Sequence, residues 1–361
     1  MVKEETKNEK KNKLFILSRS IKHIINKFME ENIMRRYDFF EILEDEVLKQ
    51  NITESERNSF IKRLNEVRNQ EINIMITGAT GCGKSSTINA LFNTNVATVG
   101  VGVDPETMSI EKYNLDNIVL WDTPGLGDGK EADICHAKNI IDKLNEFDEE
   151  GNALIDVVLV ILDGGSRNLG TEFELINNVI IPNLGENQKH RLLVAINQAD
   201  MAMKGRNWDY ENSQPNDILK NFLDEKVVSV RNRIMEATGV SVDPIYYSAG
   251  YTDDNGVQSK PYNLSKLLYY ILEATPIKKR AIYVNNLNPD TTMWEENDEI
   301  MDYNREVGKN IVESVIGFAS GGGELGEKIG VLIGGPTGGV IGRVVGTVLG
   351  AIGGFFAGLF G

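Results

Sequence analysis

The chain has 361 residues, a formal net charge of −15 and two cysteines, Cys82 and Cys135. This length suits one large domain with an appendage or two modest domains, and the acidic balance argues against a nucleic-acid-binding surface over the whole molecule. Two cysteines are too few for a disulfide framework, so we expect a cytoplasmic protein. Because of the acidic charge, we expect it to bind no nucleic acid.

The N-terminal segment, residues 1–29, differs in charge from the rest of the chain. Its first 27 residues carry eight basic and three acidic side chains. Apolar residues from Leu14 to Phe28 repeat at helical spacing, which predicts a basic amphipathic helix. This basic arm either binds an anionic surface or is a solvated tail. Its helix either lies on a membrane surface or packs on a helical subdomain. Residues 30–70 are predicted to form a further helical segment.

Short apolar runs alternate with helical patterns between residues 71 and 276, which we expect to form one domain. Strands that alternate with helices are typical of an α/β domain built on a mainly parallel sheet. A connector and a helix at Asp298–Ile316 are predicted within residues 277–320. The predicted strands of the domain are Ile72–Thr77, Ile118–Trp121, Ile155–Leu162, Leu192–Ile196 and Ile245–Tyr247, and its predicted helices are Ser85–Phe92, Ala137–Phe147, Glu172–Ile180, Asp217–Ala237 and Leu264–Glu273.

A glycine-rich loop lies between the first predicted strand and the helix that follows it. The pattern G-x-x-x-x-G-K-[ST] in this position is typical of a phosphate-binding loop. Its backbone N–H groups surround phosphate oxygens, and the helix N-terminus adds partial positive charge. Lys84 is expected to reach the β- and γ-phosphates, and Ser85 to bind Mg²⁺. The predicted nucleotide-binding residues here are Gly78, Ala79, Thr80, Gly81, Cys82, Gly83, Lys84, Ser85 and Ser86.

A second motif, Asp122-Thr123-Pro124-Gly125, follows another apolar strand. Asp122 stands at the strand's carboxyl end, where ligands bind in open α/β sheets, and is expected to hold Mg²⁺ through water. The N–H group of Gly125 can bond the γ-phosphate and release it after hydrolysis. Thr107, in the turn-prone stretch upstream, is the favoured switch threonine for the Mg²⁺ shell, and Thr98 is the alternative.

A third motif, Asn197-Gln198-Ala199-Asp200, follows the strand at Leu192–Ile196. The Asp200 carboxylate can accept from N1–H and the N2 amino group of guanine, a pair of donors that adenine lacks. Ser248-Ala249 follows the next strand, and its backbone amide can bond guanine O6. The order of these motifs predicts a guanine-nucleotide site at the carboxyl edge of the sheet.

These motifs resemble those of the translation-factor class of GTPases, which includes Ras, Era, septins and dynamins. The segments ATGCGKSSTINALF and NIVLWDTPG are most similar to immunity-related GTPases and their bacterial Era-like or HSR1-related relatives. The resemblance implies a Ras-like P-loop GTPase fold with a helical module from both chain ends. It also implies GTP hydrolysis with Mg²⁺, catalytic roles for Lys84, Thr107 and Gly125, and pairing of two copies through the nucleotide face.

Three positions depart from the family pattern. Gln198 replaces the lysine that lies over the guanine ring in these families, which is expected to weaken affinity without changing the preferred base. Leu126 stands where Ras-like enzymes carry a water-orienting glutamine, and leucine cannot orient water. Gly81 replaces the asparagine of potassium-activated relatives, so activation by potassium is not expected.

The last segment, residues 321–361, is dominated by glycine. Glycine recurs at every fourth residue from Gly322 to Gly358, a spacing that places small residues on one helical stripe and lets helices approach closely in membranes. The 25 residues from Thr337 to Gly361 carry one charge, Arg343, and would span about 37 Å as a helix, more than the ~30 Å hydrocarbon core. The two interpretations are membrane contact and a soluble glycine zipper.

The leading hypothesis is a GTPase on the cytoplasmic face of a membrane, whose nucleotide state controls self-assembly or membrane association. One alternative is a soluble regulatory switch that binds a protein or ribosome partner. Another is a membrane-permeabilising defence effector triggered by its GTPase domain. In each case GTP and GDP are the expected substrate and product, and Mg²⁺ is the expected cofactor.

Overall fold

The computed structural model describes residues 39–48, 54–92, 110–124, 129–185, 190–251 and 259–320. The chain divides into two compact units, Met1–Gln50 and Asn51–Gly361. In the first unit the described residues form helix α1 (Phe39–Leu48), in which the Phe39 and Phe40 rings meet edge to face with centroids 5.5 Å apart. The second unit contains every predicted site residue.

The second unit is built on a twisted sheet whose central strands are continuous apolar runs. The strands are β1 (Ile72–Gly78), β2 (Glu111–Leu115), β3 (Ile118–Asp122), β4 (Val157–Asp163), β5 (Leu192–Asn197), the short hairpin of β6 (Trp208–Asp209) and β7 (Gln214–Pro215), and β8 (Ile245–Tyr246). Among the described residues, six of these strands form one sheet in the order β2-β3-β1-β4-β5-β8. Strand β2 is antiparallel to β3, and the other pairs are parallel.

Helices cover both faces of this sheet, as burial of β1, β4 and β5 on both sides requires. The helices are α2 (Glu54–Arg68), α3 (Lys84–Phe92), α4 (Lys130–Leu144), α5 (Gly170–Glu174, continuing as a π-helix through Leu175–Ile180 and ending at Ile181–Asn183), α6 (Asp217–Thr238), α7 (Leu264–Ala274) and α8 (Tyr303–Ser320). Helices α4 and α6 both contact the π-helical part of α5, whereas α7 contacts α3, α8, β4 and β5. The predicted Ras-like P-loop fold with a mainly parallel sheet is confirmed.

The described parts of both chain ends contribute to the helical module, because α8 packs against α2 as well as α7. The predicted C-terminal helix was placed too early: it begins at Tyr303, not at Asp298. Asp298 is buried before the helix, where its carboxylate accepts from Lys266 Nζ at 2.6 Å and from the Tyr303 hydroxyl at 2.9 Å. These two hydrogen bonds hold Asp298 in a loop, whereas the sequence pattern indicated a helix at this residue.

Two further helices differ from the predicted ones. Helix α4 begins at Lys130, whereas the apolar pattern placed its start at Ala137, because its first turn is acidic, with Glu131 and Asp133. Acidic side chains are favourable at a helix N-terminus but carry no apolar signal. The predicted helix Glu172–Ile180 is present, but most of it is π-helical.

The segment between α7 and α8 is tied to the domain rather than free of it. Two short 3₁₀ helices lie within it, Ile277–Asn286 and Thr291–Trp294. The buried Asn288 donates its backbone N–H to the carbonyl oxygen of Leu91 at 2.8 Å and its Nδ2 to that of Ala90 at 3.0 Å. Asn288 thereby satisfies two terminal carbonyls of α3, the helix that follows the phosphate loop.

No helix in the described ranges combines the length and the apolar character needed to cross a membrane. The predicted N-terminal arm, residues 1–29, and the predicted glycine tail, residues 321–361, both lie outside the described residues. The two interpretations of the tail therefore stay predictions from the sequence.

Candidate nucleotide-binding site

The phosphate loop runs from the end of β1 to the start of α3, and its backbone requires glycine at three positions. Gly81 and Gly83 have φ of 79° and 90°, the left-handed region that glycine favours. A Cβ atom on Gly78 would lie 2.1 Å from the carbonyl oxygen of Ile161, and one on Gly83 would lie 2.2 Å from Asn197 Nδ2. The loop is therefore pressed against β4 on one side and the end of β5 on the other.

Lys84 is the first residue of α3 and folds back over this loop. Its Nζ donates to the carbonyl oxygens of Gly78 at 3.2 Å and Ala79 at 3.3 Å. Ser85 and Ser86 follow in the first helical turn and are half-buried, while Thr80 is exposed at the tip of the loop. An ammonium group held in this way beside a helix N-terminus suits an anionic ligand.

Cys82 lies within the loop, and its thiol is buried. Burial raises the pKa of this thiol to about 11, against the opposing effect of Lys84. A thiol with a raised pKa is a poor nucleophile. Cys82 is therefore suited to contribute its backbone to the loop rather than its sulfur.

Asp122 ends β3 beside the loop and is 6% exposed. Burial raises its pKa from 3.8 to about 6, Lys84 opposes this rise, and its Oδ1 atom has no hydrogen-bond partner among the described residues. A buried carboxylate oxygen without a partner is costly unless it meets a cation or a donor. Asp122 therefore fits a divalent cation or a water bound to one, together with the Ser85 hydroxyl, which is an oxygen donor of the kind that Mg²⁺ prefers.

The backbone after Asp122 is fixed by Thr123. Its N–H donates to the carbonyl oxygen of Ile76 at 3.0 Å, and its Oγ1 donates to Thr77 Oγ1 at 2.8 Å. Gly125, Leu126 and both candidate switch threonines, Thr107 and Thr98, lie outside the described residues.

Asn197, at the end of β5, bonds both to the phosphate loop and to the Ser248-Ala249 pair. Its Nδ2 donates to the carbonyl oxygen of Cys82 at 2.9 Å, and its Oδ1 accepts from the N–H of Ala249 at 3.0 Å. Gln198 follows with φ of 58° and donates its Nε2 to the carbonyl oxygen of Gly81 at 2.8 Å. The structure therefore brings the phosphate loop, the Asn197-Gln198 pair and Ser248-Ala249 into one hydrogen-bonded site.

Asp200 is oriented by the segment that follows β8. Its Oδ1 accepts from the Ser248 hydroxyl at 2.7 Å, and the neighbouring Ala199 N–H donates to the carbonyl oxygen of Tyr247 at 3.1 Å. A carboxylate with one oxygen held in this way keeps acceptor capacity for further N–H donors. The arrangement can therefore accept the two donors on one edge of a guanine base.

The loop that follows β4, residues 163–166, also belongs to the site, although no nucleotide-binding motif in the sequence predicted it. The N–H of Gly164 donates to the carbonyl oxygen of Asn197 at 2.7 Å. A Cβ atom at Gly164 would lie 2.5 Å from that same oxygen. The paired glycines after an apolar strand were the available signal, because glycine at a strand end often marks close approach of two backbones.

Comparison with known proteins agrees with this geometry. Residues 73–198 match the family model described as 50S ribosome-binding GTPase. This segment is a P-loop GTPase domain. The match begins in β1 and ends at Gln198, so it contains the phosphate loop, Asp122 and the first two residues of the Asn197-Gln198-Ala199-Asp200 motif. The predicted resemblance of the GTPase domain to HSR1-related GTPases is confirmed.

Three individual proteins are similar to parts of this chain. The uncharacterized protein YkfA of Escherichia coli (strain K12) is 31% identical over 146 residues, which is 39% of this chain and 46% of that protein. Interferon-inducible GTPase 1 of Mus musculus is 40% identical over 70 residues, 18% of this chain and 17% of that protein. The structure of Toc33 from Arabidopsis thaliana aligns with a TM-score of 0.40 and 16% identity, covering 62% of this chain and 93% of Toc33. The chain spans about half the length of the Escherichia coli relatives it matches, 46% and 55%.

Proposed function

We propose that this chain binds GTP and GDP and hydrolyses GTP to GDP and phosphate. The observation that carries the proposal is the bonding of Asn197 to both the phosphate loop and Ala249. This contact supports a site in which a phosphate-binding loop and a carboxylate suited to guanine, Asp200, share one edge of the sheet. A site of this composition binds a guanine nucleotide across its phosphates and its base.

The phosphate end of the site neutralises and orients the polyphosphate. The backbone N–H groups of residues 78–86 and the Lys84 ammonium would contact the phosphate oxygens. Ser85 and Asp122 would hold Mg²⁺, with Thr107 completing its shell. When bound, the ion neutralises charge that develops on the β- and γ-phosphate oxygens. The N–H of Gly125 would contact the γ-phosphate. Loss of the γ-phosphate after hydrolysis would therefore release the segment that follows Asp122.

The base end of the site selects guanine. The free acceptor positions of Asp200 would take the N1–H and N2 amino group, and the N–H of Ala249 or Ser248 would address O6. Adenine would leave the remaining acceptor positions of Asp200 without donors, a cost of about 1–3 kcal/mol. We expect ATP to bind at least about a hundredfold more weakly than GTP for this reason.

Self-assembly belongs to the same proposal, because the described residues and Leu126 supply no side chain with an evident water-orienting role. Without such a group intrinsic turnover is on the order of 10⁻³ to 10⁻⁴ s⁻¹, and a group supplied in trans can add about 10³–10⁵-fold. We expect a second copy to supply this group through the nucleotide face. Specific activity should therefore rise with protein concentration when residues 321–361 are deleted to prevent aggregation. Fast turnover that is independent of concentration would contradict supply in trans.

Membrane association is the second part, and its support is the apolar, glycine-spaced sequence of residues 321–361. We expect the full chain to float with anionic liposomes, which represent the cytoplasmic face of a membrane. A chain without residues 317–361 should stay in solution while it binds GTP. Leakage of liposome contents would point to the defence-effector alternative. Absence of flotation in both nucleotide states would favour the soluble zipper.

Calorimetry with Lys84→Ala tests the central proposal. This substitution removes the ammonium at the phosphate loop and should weaken GTP binding about a hundredfold or more without changing the melting temperature of the ligand-free protein. Lys220→Ala, which removes a lysine of helix α6 outside the nucleotide-binding motifs, serves as the control and should bind GTP like the wild type. Equal affinity of the wild type for GTP and ATP would reject guanine recognition, and unchanged affinity of Lys84→Ala would reject this loop as the site.

A further inference from the structure

The loop that follows β4 presents several backbone carbonyls to a single ammonium group. Lys226, in the middle of α6, donates its Nζ to the carbonyl oxygens of Asp163 at 3.0 Å, Gly164 at 2.7 Å and Ser166 at 2.8 Å. An ammonium group has three donors. All three are therefore accounted for by the backbone of one loop.

Carboxylates lie near this ammonium without replacing the carbonyls as its hydrogen-bond acceptors. Asp163 and Glu172 both favour the charged form of Lys226, against a burial that lowers its pKa. The Oδ1 of Asp163 accepts instead from the N–H of Gly165 at 2.7 Å. A half-buried charge used in this way fixes the loop's backbone conformation, because the three carbonyls can converge only in one arrangement of the chain.

The opposite side of the same loop touches the base-reading motif. The Gly164 N–H donates to the carbonyl oxygen of Asn197, and a Cβ atom at Gly164 would lie 2.5 Å from that oxygen and 2.8 Å from the carbonyl oxygen of Gln198. Asn197 and Gln198 are the residues whose side chains hold the phosphate loop. Any shift of Gly164 must therefore move the backbone that leads into Asp200.

We propose that Lys226 is a positioning residue for guanine recognition, which acts by holding residues 163–166 against Asn197 and Gln198. The inference rests on the proposed guanine-nucleotide function and adds a residue some 26 positions beyond the motif that reads the base. Lys226 does not contact the nucleotide in this proposal. It fixes the support on which Asn197, Gln198 and Asp200 are aligned.

The test measures base selectivity in Lys226→Met, which keeps the length of the side chain but removes its three donors. The dissociation constants of GTP, ATP and inorganic tripolyphosphate are measured by calorimetry, with the melting temperature of the ligand-free protein as a separate measurement. We expect the GTP constant to rise about tenfold or more, since small displacements of aligned groups have effects of this size. The ATP and tripolyphosphate constants should rise less than the GTP constant, because they report only the bonds from Asn197 and Gln198 to the phosphate loop, so that the preference for GTP falls.

Three variants complete the experiment. Lys226→Arg retains donors and charge and should recover most of the preference for GTP. Lys220→Met, which removes another lysine of α6, should leave the preference unchanged. Gly164→Ala disturbs the loop from its other side and should reproduce the loss seen in Lys226→Met. If Lys226→Met is insoluble, Lys226→Gln and Gly164→Ala are measured in its place.

The outcomes separate this inference from the proposed function. A wild-type preference for GTP that persists unchanged in Lys226→Met and Gly164→Ala, whatever their melting temperatures, would overturn the positioning role while leaving the proposed function intact. A wild-type protein without any preference for GTP would overturn both. A parallel loss of affinity for all three ligands would show that Lys226 maintains the fold in general and would also reject the inference.

Discussion

The hydroxyl groups of Thr87 and Tyr247 share a hydrogen bond of 2.7 Å in the interior of the domain. Thr87 lies in α3, four residues after Gly83, and its Oγ1 also lies 2.7 Å from the Gly83 carbonyl oxygen, to which it donates. Tyr247 directly precedes Ser248. The bond therefore links the support of the phosphate loop to the segment that orients Asp200, and burial raises the pKa of Tyr247 well above its ordinary value.

Substitution Tyr247→Phe should weaken this link without leaving a charge unpaired. Thr87 keeps its bond to Gly83, so the expected loss in the free energy of unfolding is about 1 kcal/mol, measured by urea denaturation without nucleotide. GDP affinity should fall as well, because both ends of the site lose a shared support. Tyr251→Phe is the matched control, since Tyr251 is 56% exposed. Equal unfolding free energies for the two variants would contradict the prediction.

Asp122 should make the ligand-free protein sensitive to pH. Its folded pKa, about 6, lies above its ordinary value of 3.8, so the folded state binds the proton more tightly than the unfolded state. The contribution of Asp122 to stability is therefore fully present below pH 3.8 and is lost as pH rises through about 6, by an amount on the order of 3 kcal/mol. In chelator and without nucleotide, Asp122→Asn should lack this loss and melt above the wild type at pH 8.

Addition of ligand should reverse the order of the melting temperatures of Asp122→Asn and the wild type. Wild-type protein should gain thermal stability from Mg²⁺ with a GTP analogue, because the cation meets the buried carboxylate. Asp122→Asn should gain much less. A wild-type melting temperature that is flat between pH 5 and pH 8 in chelator would show that the carboxylate is satisfied in the ligand-free state.

Gln198 offers a test of the departure from the family pattern. Gln198→Lys keeps a donor toward the Gly81 carbonyl oxygen and adds a cation beside the base, which should tighten GDP binding by about 0.5–1 kcal/mol. Gln198→Gly removes the donor but relieves the backbone strain of the observed φ of 58°, whereas Gln198→Ala removes the donor and keeps the strain of about 1–2 kcal/mol that an L-residue has in this conformation. Stopped-flow release of a fluorescent GDP should rank the variants Lys, Gln, Gly and Ala from slowest to fastest. Faster release from the Lys variant than from the wild type would contradict this order.

Asp200→Asn should change which base is preferred. The amide presents a donor where the carboxylate presented an acceptor, which suits the 2-oxo group of xanthine and opposes the amino group of guanine. We expect GTP affinity to fall about a hundredfold and XTP affinity to rise, measured by competition against a fluorescent nucleotide. Asp209→Asn, an exposed carboxylate in the nearby β6–β7 hairpin, is the control. Unchanged preference in Asp200→Asn would place the base elsewhere.

The features that the sequence predicted are those encoded in consecutive residues. The phosphate loop, Asp122 and Asn197-Gln198-Ala199-Asp200 each follow a strand, and the alternation of strands and helices implied that their carboxyl ends would meet at one edge. The sheet order and the bonds from Asn197 to the phosphate loop and to Ala249 agree with that expectation. Gly125 and Thr107 stay predictions.

The features that escaped prediction depend on partners distant in the chain. Lys226 is an ordinary helical lysine by sequence, and only the fold brings it to the carbonyls of residues 163–166. Asp298 was included in a helix because nothing local indicates that Lys266 and Tyr303 occupy its oxygens. The left-handed conformation of Gln198 is likewise set by its bond to Gly81, 117 positions earlier, rather than by the preference of glutamine.

The bonds from Asn288 to Ala90 and Leu91 have a consequence for the order in which the protein matures. The two partners are separated by about two hundred positions. During synthesis on the ribosome, the last carbonyl groups of α3 therefore lack this hydrogen-bond donor until most of the chain has emerged. A chain that ends at Pro276 would contain every nucleotide-binding motif and still lack this contact. The last turn of α3 should therefore reach its final stability late in translation, when residues beyond 288 have left the exit tunnel.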